Sequence, residues 1–191
     1  MVASVHQILI GYSNESSSAS QDALSASGSV TLIINGNRKI LVDCGDPWNG
    51  EQLLTELKAY SVSNEDVTDL IITHGHSDHC GNLSLFRKAT IYMDHDCARA
   101  QSQYTSLEDE FEVTENVYVI RTVGHTDHDL SVVVTGTQRG WDIFENGLTD
   151  QWQANSRYVE KQQQSRERII SMADWIVPGH GEIFKNQLKK N

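Results

Sequence analysis

Short apolar runs bounded by turn residues recur along the chain, and this pattern predicts β-strands more often than helices. Strands are predicted over residues 5–12, 30–34, 39–42, 69–73, 90–93, 117–123, 130–135 and 175–177. Asn35-Gly36 separates the second strand from the third and is a strong signal for a tight hairpin. The early strands therefore form hairpins, whereas the later ones alternate with helical segments. This order predicts an α/β fold with mixed sheets.

Helical periodicity is restricted to a few segments. Helices are predicted over residues 50–60, 83–86, 94–100 and 155–173, with a further helix start at residue 64. The first of these places Leu53, Leu54 and Leu57 on one face. Residues 14–28 are rich in serine and other small residues, so they are predicted to form a surface loop or a flexible arm.

The chain has 191 residues, which is long enough for one well-buried domain, and no repeat or linker divides it. We therefore expect a single domain over residues 1–191. No apolar run reaches the length of a bilayer span, and the N-terminal residues lack the features of a signal peptide. The three cysteines, an odd number, favour reduced thiols over a disulfide framework. These features predict a protein of the cytoplasm or the nucleus with no membrane partner.

The formal net charge of the chain is −11. A surface this acidic repels polyanions, so nonspecific binding of nucleic acid is disfavoured. Two divalent ions would return about +4 locally and could attract an anionic group. The charge therefore weakens a nucleic-acid interpretation without excluding it.

The densest group of ionisable residues is the run His74-Gly-His76-Ser-Asp78-His79, directly after the predicted strand 69–73. In an extended segment, residues i and i+2 point to the same side, so His74 and His76 can reach one ion. A helix that starts after His76 would turn Asp78 and His79 toward a second point. Zinc accepts imidazole and carboxylate ligands without a thiolate. The run therefore predicts a metal site.

The segment Thr73-His-Gly-His-Ser-Asp-His-Cys-Gly81 resembles the T-H-x-H-x-D-H-x-x-G signature of the metallo-β-lactamase superfamily. Three other stretches match motifs of that superfamily in the same order, namely Leu41-Val-Asp-Cys-Gly45, Gly124-His125-Thr126 and Pro178-Gly-His180-Gly181. The resemblance implies an αββα sandwich of two mixed β-sheets flanked by helices. It also implies that the metal ions lie at one edge of the sheets.

The same resemblance implies the metal ligands. They are His74, His76 and His125 for the first ion and Asp78, His79 and His180 for the second. The bridging aspartate of the superfamily corresponds to Asp142. His125 and His180 lie in Gly-flanked turns after predicted strands, from which a side chain can project at the end of a sheet.

At Asp142 the sequence departs from the superfamily pattern. Residues 131–136 are followed closely by Asp142, so we expect the return strand to be shortened or missing by about five or six residues. Asp142 would then reach the metals through an altered loop, or not reach them. In that case Asp127 or Asp129 could take its place, or the second ion would be held weakly.

Other residues near the motifs are assigned supporting roles. Asp43 is expected to accept a hydrogen bond from a metal-binding histidine and so to fix its tautomer. Cys80 follows His79 directly but occupies no ligand position, so a small buried thiol is expected. His6, His95 and His128 lie outside the motifs and are interpreted as surface or packing histidines.

The implied chemistry is hydrolysis at a pair of zinc ions, with iron and manganese as alternatives. Two divalent ions about 3.5–4 Å apart share a water molecule and lower its pKa toward 7. The metal-bound hydroxide would attack a carbonyl or phosphoryl centre, while Asp78 and Asp142 orient the water and shuttle its proton.

The substrate stays open between single-stranded RNA and a small molecule. Residues 73–86, 130–136, 142–145 and 175–181 resemble one subgroup of the superfamily, which implies an endoribonuclease that acts on histone pre-mRNA 3′ ends. A thioester or other small-molecule hydrolase is the alternative. We expect neither the glutathione-binding helical extension of glyoxalase II-like thioesterases nor the inserted domain of superfamily nucleases.

Two further classes remain open from sequence. A mono-iron oxidoreductase similar to persulfide dioxygenases uses the same H-x-H-x-D-H frame. A non-catalytic regulator that binds metal is the other class, because the region around Asp142 is altered. The superfamily is also compatible with a homodimer.

Overall fold

The structure is a computed structural model that describes residues 2–15, 24–137, 140–145 and 152–189. In chain order, its strands are β1 (Ser4–Leu9), β2 (Tyr12–Glu15), β3 (Leu24–Ser27), β4 (Val30–Asn35), β5 (Arg38–Val42), β6 (Asp69–Ile72), β7 (Thr90–Met93), β8 (Asp96–Arg99), β9 (Gln103–Ser106), β10 (Glu110–Thr114), β11 (Val117–Arg121), β12 (Leu130–Thr137), β13 (Gly140–Glu145), β14 (Trp175–Pro178) and β15 (Phe184–Lys185). The α-helices are α1 (Gly50–Ala59), α2 (Ser77–Cys80) and α3 (Val159–Met172). No helix among the described residues combines the length and the apolar character needed to span a bilayer.

The strands form two large mixed sheets and one small sheet. The first sheet has the order β1-β4-β5-β6-β7-β8-β9, and the second has the order β10-β11-β12-β13-β14-β15. Parallel pairing joins β5 to β6 and β6 to β7 in the first sheet, and β13 to β14 in the second. The other neighbours are antiparallel, and β2 pairs with β3 in a separate hairpin.

Buried side chains alternate between the two faces of the first sheet, as the period of a strand requires. Those that pack into a core shared with the second sheet are Ile33, Ile40, Val42 and Ile71. Their neighbours on the opposite face are Leu32, Leu41, Leu70 and Ile72, which belong to a core with Leu53 and Leu57 of α1. The second sheet shares the inner core through Val119, Val132 and Val177 and packs α3 on its outer face through Ile169. The predicted αββα arrangement of two mixed sheets flanked by helices is confirmed.

Several predicted elements are confirmed with shifted bounds. The hairpin at Asn35-Gly36 joins β4 to β5, and Gly36 has the positive φ of 63° that such a tight turn requires. The predicted helix at residues 50–60 is α1, and the one at residues 155–173 contains α3. The helix start at residue 64 and the helix at residues 83–86 are reduced to single 3-10 turns, Asn64–Asp66 and Leu83–Leu85.

The prediction of a helix over residues 94–100 is wrong. Asp94 and His95 form a two-residue turn, with φ of 56° at Asp94, and β8 then returns antiparallel to β7. The burial of Cys97 between exposed Asp96 and half-buried Ala98 follows the two-residue period of a strand. Asp-His, unlike Asn-Gly, is not a recognised sequence signal for a tight turn, so this turn was not predicted.

The prediction of a loop or arm over residues 14–28 is wrong at both of its ends. β2 and β3 pair in register from Tyr12↔Ser27 to Glu15↔Leu24, so the ends of this segment form a hairpin. Small residues in β3 allow close approach to the rest of the fold, and Gly28 packs against the backbone of Asp78. Residues 16–23 lie outside the described part of the chain.

The expectation of a shortened or missing return strand is also corrected. β13 pairs antiparallel with β12 and parallel with β14, so a strand occupies the expected place. The backbone of Asp142 lies within β13, opposite Val134 on one side and Trp175 on the other. The return strand is therefore present over Gly140–Glu145.

The fold brings strand ends from both sheets to a common edge. β5, β6 and β7 are parallel, so the residues that follow them, including Asp43, His74 and Asp94, lie at the same edge of the first sheet. In the second sheet, the loop between β11 and β12 carries His125, and β14 leads directly into His180. This edge contains the candidate site.

Candidate metal centre

Three imidazoles meet at the sheet edge, two from the segment after β6 and one from the loop after β11. The Nδ1 atom of His76 lies 2.9 Å from Nε2 of His74 and 3.2 Å from Nε2 of His125. Adjacent nitrogen ligands of a tetrahedral zinc ion, with bonds of 2.0–2.1 Å, lie about 3.3 Å apart. The first group therefore has the donor atoms and the spacing of a zinc site.

A second group combines one carboxylate and two imidazoles. His79 Nε2 lies 3.4 Å from His180 Nε2 and 3.6 Å from Asp78 Oδ2, and the third side, His180 Nε2 to Asp78 Oδ2, is 3.7 Å. The centre of this triangle is about 2.1 Å from each corner, which is the length of a zinc bond to nitrogen or oxygen. The residues therefore fit a divalent ion.

The two groups adjoin each other. The ring centroids of His74 and His79, one from each group, are 4.2 Å apart. Paired divalent ions in hydrolytic sites lie about 3.5–4 Å apart. The arrangement is thus compatible with a dinuclear centre.

Asp43 is linked by hydrogen bonds to one histidine of each group. One carboxylate oxygen accepts hydrogen bonds from His79 Nδ1 at 2.7 Å and from the Thr73 hydroxyl at 2.8 Å, and the other accepts from Thr73 N at 2.7 Å. Because the Thr73 hydroxyl donates to Asp43, its oxygen is free to accept from His74 Nδ1, 3.1 Å away. The network leaves Nε2 of both histidines available as ligands. The role expected for Asp43 agrees with these contacts.

His180 is oriented by the hairpin of β2 and β3. Its Nδ1 lies 3.1 Å from the carbonyl oxygen of Tyr12 and 3.0 Å from that of Ser27, so it donates to these acceptors and turns Nε2 toward the site. The backbone at Gly179 is fixed by a 2.6 Å hydrogen bond from Ser29 N. The ends of the serine-rich segment therefore contribute to the site by positioning one of its imidazoles.

The loop that carries His125 is held by Asp129. This buried carboxylate accepts hydrogen bonds from Gly124 N at 2.9 Å, Thr126 N at 2.7 Å and the Thr126 hydroxyl at 2.7 Å. Asp127 is engaged elsewhere, by Tyr158 Oη at 2.7 Å and by Arg157. Neither carboxylate is placed as the substitute for Asp142 that the sequence left open.

The electrostatics of the site favour neutral imidazoles, which is the form that binds metal. Burial, together with the neighbouring histidines, lowers the pKa of His74 well below its usual value. Burial likewise lowers the pKa of His125 and of His180. At His79 burial has the largest single effect and lowers the pKa. The charge and hydrogen bond of Asp43, together with the charges of Asp78 and Asp129, outweigh it, so the pKa of His79 is raised.

The site is open on one side. His74 and His79 are buried, whereas His76 is exposed, and the side chains of Asp78 and His180 are 18% and 22% exposed. The buried histidines thus form the inner side of the site, while the more exposed residues border on solvent. A small molecule can approach the centre from that side.

Six of the seven predicted ligands lie in the two groups, and the seventh is Asp142. The backbone register of β13 places Asp142 opposite Trp175, whereas Glu145 lies opposite Pro178, next to His180 in sequence. Three residues of strand span about 10 Å, so the backbone of Asp142 lies toward the far end of β14. The side chain of Asp142 is outside the described part of the structure, and its ligand role stays a prediction.

Cys80 is half-buried rather than fully buried, and its thiol donates to the carbonyl oxygen of His76 at 3.2 Å. Burial raises the pKa of this thiol, and it belongs to neither ligand group.

Sequence reasoning missed the positioning roles of Thr73, Tyr12 and Ser27. Thr73 lies inside the signature and could have been found, whereas backbone carbonyl acceptors leave no sequence signal.

The fold and these two groups define a metallo-β-lactamase superfamily protein, and the chain belongs to that superfamily. The family model described as "Metallo-beta-lactamase superfamily" matches residues 26–98. Members of this superfamily are typically metal-dependent hydrolases.

The chain is 41% identical to metallo-beta-lactamase domain-containing protein 1 of Xenopus laevis, over 95% of this chain and 81% of that protein. It is 36% identical to the protein of the same name from Homo sapiens, over 86% of this chain and 76% of that protein. A crystal structure of a Thermotoga maritima protein assigned as a metallo-beta-lactamase superposes with a TM-score of 0.74 at 17% identity, covering 97% of this chain and all of that one. The structural likeness establishes the fold, and the sequence relatives establish the family.

Proposed function

We propose that this chain is a dinuclear hydrolase whose two ligand groups hold a pair of divalent ions, with zinc the first choice. The observation that supports the proposal is that the two groups of potential ligands adjoin each other at one edge of the sheets. When bound, two such ions lower the pKa of a water molecule toward 7 and so supply a nucleophile at neutral pH. Iron and manganese accept the same ligand types, and elemental analysis of the purified protein distinguishes them.

Each residue of the site has a separate task in this proposal. His74, His76 and His125 bind one ion, and His79 and His180 bind the other. Asp78 offers one carboxylate oxygen to that second ion. Its other oxygen can orient a water molecule and accept the proton that this water loses. The resemblance to the superfamily supports the same task for Asp142, whereas the register of β13 opposes it.

Cys80, the thiol beside the site, is a poor candidate for a nucleophile. Its pKa is raised by burial, so the reactive thiolate is scarce at neutral pH. Its hydrogen atom is also directed at the His76 carbonyl oxygen. This environment favours attack by an activated water molecule over a covalent thioester mechanism.

We further propose that the substrate is a small molecule with an ester, thioester or lactone carbonyl. The net charge of −11 opposes binding of a polyanion. Arg157, whose backbone N–H donates to the His125 carbonyl oxygen, is paired with Asp127 at 2.6 Å. The Asp127 carboxylate reduces the positive charge that this loop offers to a phosphate backbone.

Cleavage of single-stranded RNA at histone pre-mRNA 3′ ends is the second candidate. The sequence strings shared with one subgroup of the superfamily support it, and two bound divalent ions would offset part of the negative charge. Binding that depends on phosphates weakens steeply with salt, so RNA cleavage by this chain should fall sharply as the salt concentration rises.

The test is a substrate panel with protein reloaded with zinc or manganese. It contains a glutathione thioester, an acyl lactone, bis(p-nitrophenyl) phosphate and a short single-stranded RNA. We expect turnover of a carbonyl substrate that a chelator abolishes, and a loss of about 100-fold or more in His79→Ala. His6→Ala, which removes a histidine outside the site, is the matched control and should retain activity.

Each other outcome of the panel rejects part of the proposal. Salt-sensitive cleavage of RNA alone would replace the small-molecule substrate. Iron in the purified protein together with oxygen uptake would favour the mono-iron oxidoreductase. Full metal loading without turnover of any substrate would favour a non-catalytic metal-binding regulator.

A further inference from the structure

A third group of metal-ligating side chains lies outside the centre described above. It consists of Asp94, His95 and His128, whose ligand atoms all lie within 4.8 Å of one another. Asp94 Oδ1 is 3.1 Å from His128 Nδ1 and 3.6 Å from His95 Nε2. The sequence interpretation assigned both histidines to the surface or to packing, so the structure alone brings these three side chains together.

Two atoms of this group are buried without a hydrogen bond among the described residues. They are Asp94 Oδ1 and His128 Nδ1, which face each other yet are not aligned as donor and acceptor. Buried polar atoms of a folded protein are normally satisfied, so an unsatisfied pair indicates something that the site is built to bind. A cation between the carboxylate oxygen and the imidazole nitrogen would satisfy both.

The backbone on both sides of the group is held in place. In the turn between β7 and β8, the carbonyl oxygen of Asp94 accepts from Arg121 Nη1 at 3.0 Å, and that of His95 accepts from Leu107 N at 2.7 Å. His128 lies in the loop that Asp129 fixes. The three side chains therefore start from rigid positions, and little ordering is needed to bind an ion.

The donor set identifies the class of ligand. Two imidazoles and one carboxylate suit borderline divalent ions such as Zn²⁺, Ni²⁺ and Cu²⁺, whereas Ca²⁺ and Mg²⁺ prefer oxygen ligands. The separations of 3.1 and 3.6 Å bracket the spacing of about 3.3 Å expected between ligands of a tetrahedral zinc ion. We propose that Asp94, His95 and His128 form a third, separate binding site for a zinc-like ion.

The exposure of the group indicates how such an ion would be held. The side chains of Asp94, His95 and His128 are 48%, 57% and 45% exposed, so the ion would keep open positions for water or another ligand. Three protein ligands with an open position characterise exchangeable rather than structural zinc. The site lies at the same sheet edge as the main centre, because His128 shares a loop with His125 and Asp94 follows β7.

The test counts zinc ions per chain. The wild-type protein and the double variant His95→Ala/His128→Ala are stripped with a chelator, dialysed against the same free Zn²⁺ concentration and measured by elemental analysis. We expect the double variant to contain about one ion per chain less than the wild type. His6→Ala controls for nonspecific binding to surface histidine and should match the wild type.

A second variant separates loss of the site from loss of the fold. Asp94→Asn removes the charged ligand, and asparagine tolerates the positive φ of 56° at this position. It should weaken binding of the last zinc ion by about tenfold in a titration, with the unfolding midpoint of the metal-free protein unchanged. Equal zinc content in the wild type and the double variant would overturn the proposal, since the group would then be an ion pair only.

Discussion

Asp43→Asn is the single substitution that tests how the centre is held together. The carboxylate accepts three hydrogen bonds, two from Thr73 and one from His79, and it reaches His74 through the Thr73 hydroxyl. Asparagine has the same shape and tolerates the φ of 59° at this position. Its amide group, however, has only one oxygen. Depending on which position the NH2 group takes, either Thr73 N loses its acceptor, or the Thr73 hydroxyl and His79 Nδ1 both do.

The size of the effect follows from these contacts. A hydrogen bond to a charged acceptor contributes roughly 1.5–3 kcal/mol, so the metal-free variant should lose at least that much free energy of unfolding. Loss of a carboxylate that orients a metal-binding histidine weakens metal affinity about 10–100-fold. Because Asp43 supports one histidine in each group, we expect the upper end, about 100-fold or roughly 3 kcal/mol.

The assay is competition for Zn²⁺ against a chromophoric chelator, accompanied by urea unfolding of the metal-free protein. Asp69→Asn is the matched control, because Asp69 is also a buried carboxylate, bound to Arg38 and Tyr92 at the opposite end of β6. Both variants should be destabilised, but only Asp43→Asn should lose zinc affinity. If Asp69→Asn lost as much zinc affinity, general destabilisation would explain the effect and the reasoning would be refuted.

Three further predictions concern the same edge of the sheets. Gly28→Ala should lose about 1–3 kcal/mol of unfolding free energy and some zinc affinity, because its Cβ would lie 2.6 Å from Asp78 O and 3.0 Å from the ring of His79. Gly75→Ala, whose Cβ would meet only Met93 Cε at 3.5 Å, is the control and should be tolerated in thermal unfolding. The pKa values of His74, His125 and His180 are lowered in the folded protein, so the unfolded chain binds more protons as the pH falls. The free energy of unfolding of the metal-free protein, measured with urea, should therefore be highest above about pH 6.5 and should decrease below it. His79, with its raised pKa, opposes this trend, and a metal-free protein that is more stable in acid would contradict the prediction. If β13 keeps its register, elemental analysis of Asp142→Ala should show the full metal content, and loss of about one ion per chain would instead support the bridging role.

The faces of the strands and one part of each ligand group could be predicted because they depend on short-range patterns. Alternation within strands such as β4 and β5 sets which side chains face the inner core. The spacing of His74, His76, Asp78 and His79 is set by one strand end and one helical turn. In both cases the sequence separation fixes the spatial separation. The sandwich as a whole and the distant ligands His125 and His180 were predicted only through the resemblance to the superfamily.

The group of Asp94, His95 and His128 shows where this reasoning ends. Asp94 in the turn and His128 in the loop are 34 residues apart along the chain. They meet only because β7 and the β11–β12 loop end at the same edge of two packed sheets. No periodicity or spacing in the sequence encodes that meeting. Such a site becomes visible only when the sheet order and the packing of the two sheets are known.

Asp142 presents a different problem, because the sequence motif and the strand register give different answers. The match to the superfamily assigns Asp142 by its neighbours in sequence, Ile143 to Glu145. Pairing assigns it by backbone hydrogen bonds, and because β13 is parallel to β14 the residue nearest His180 is the last of the strand, Glu145. A shorter connection before a ligand leaves two possibilities. The strand can keep its pairing, which moves the ligand away from the metal site, or the ligand can stay at the site while the strand loses its pairing. The described backbone keeps the pairing, so a second ion would have only Asp78, His79 and His180 as ligands unless β13 shifted toward the site.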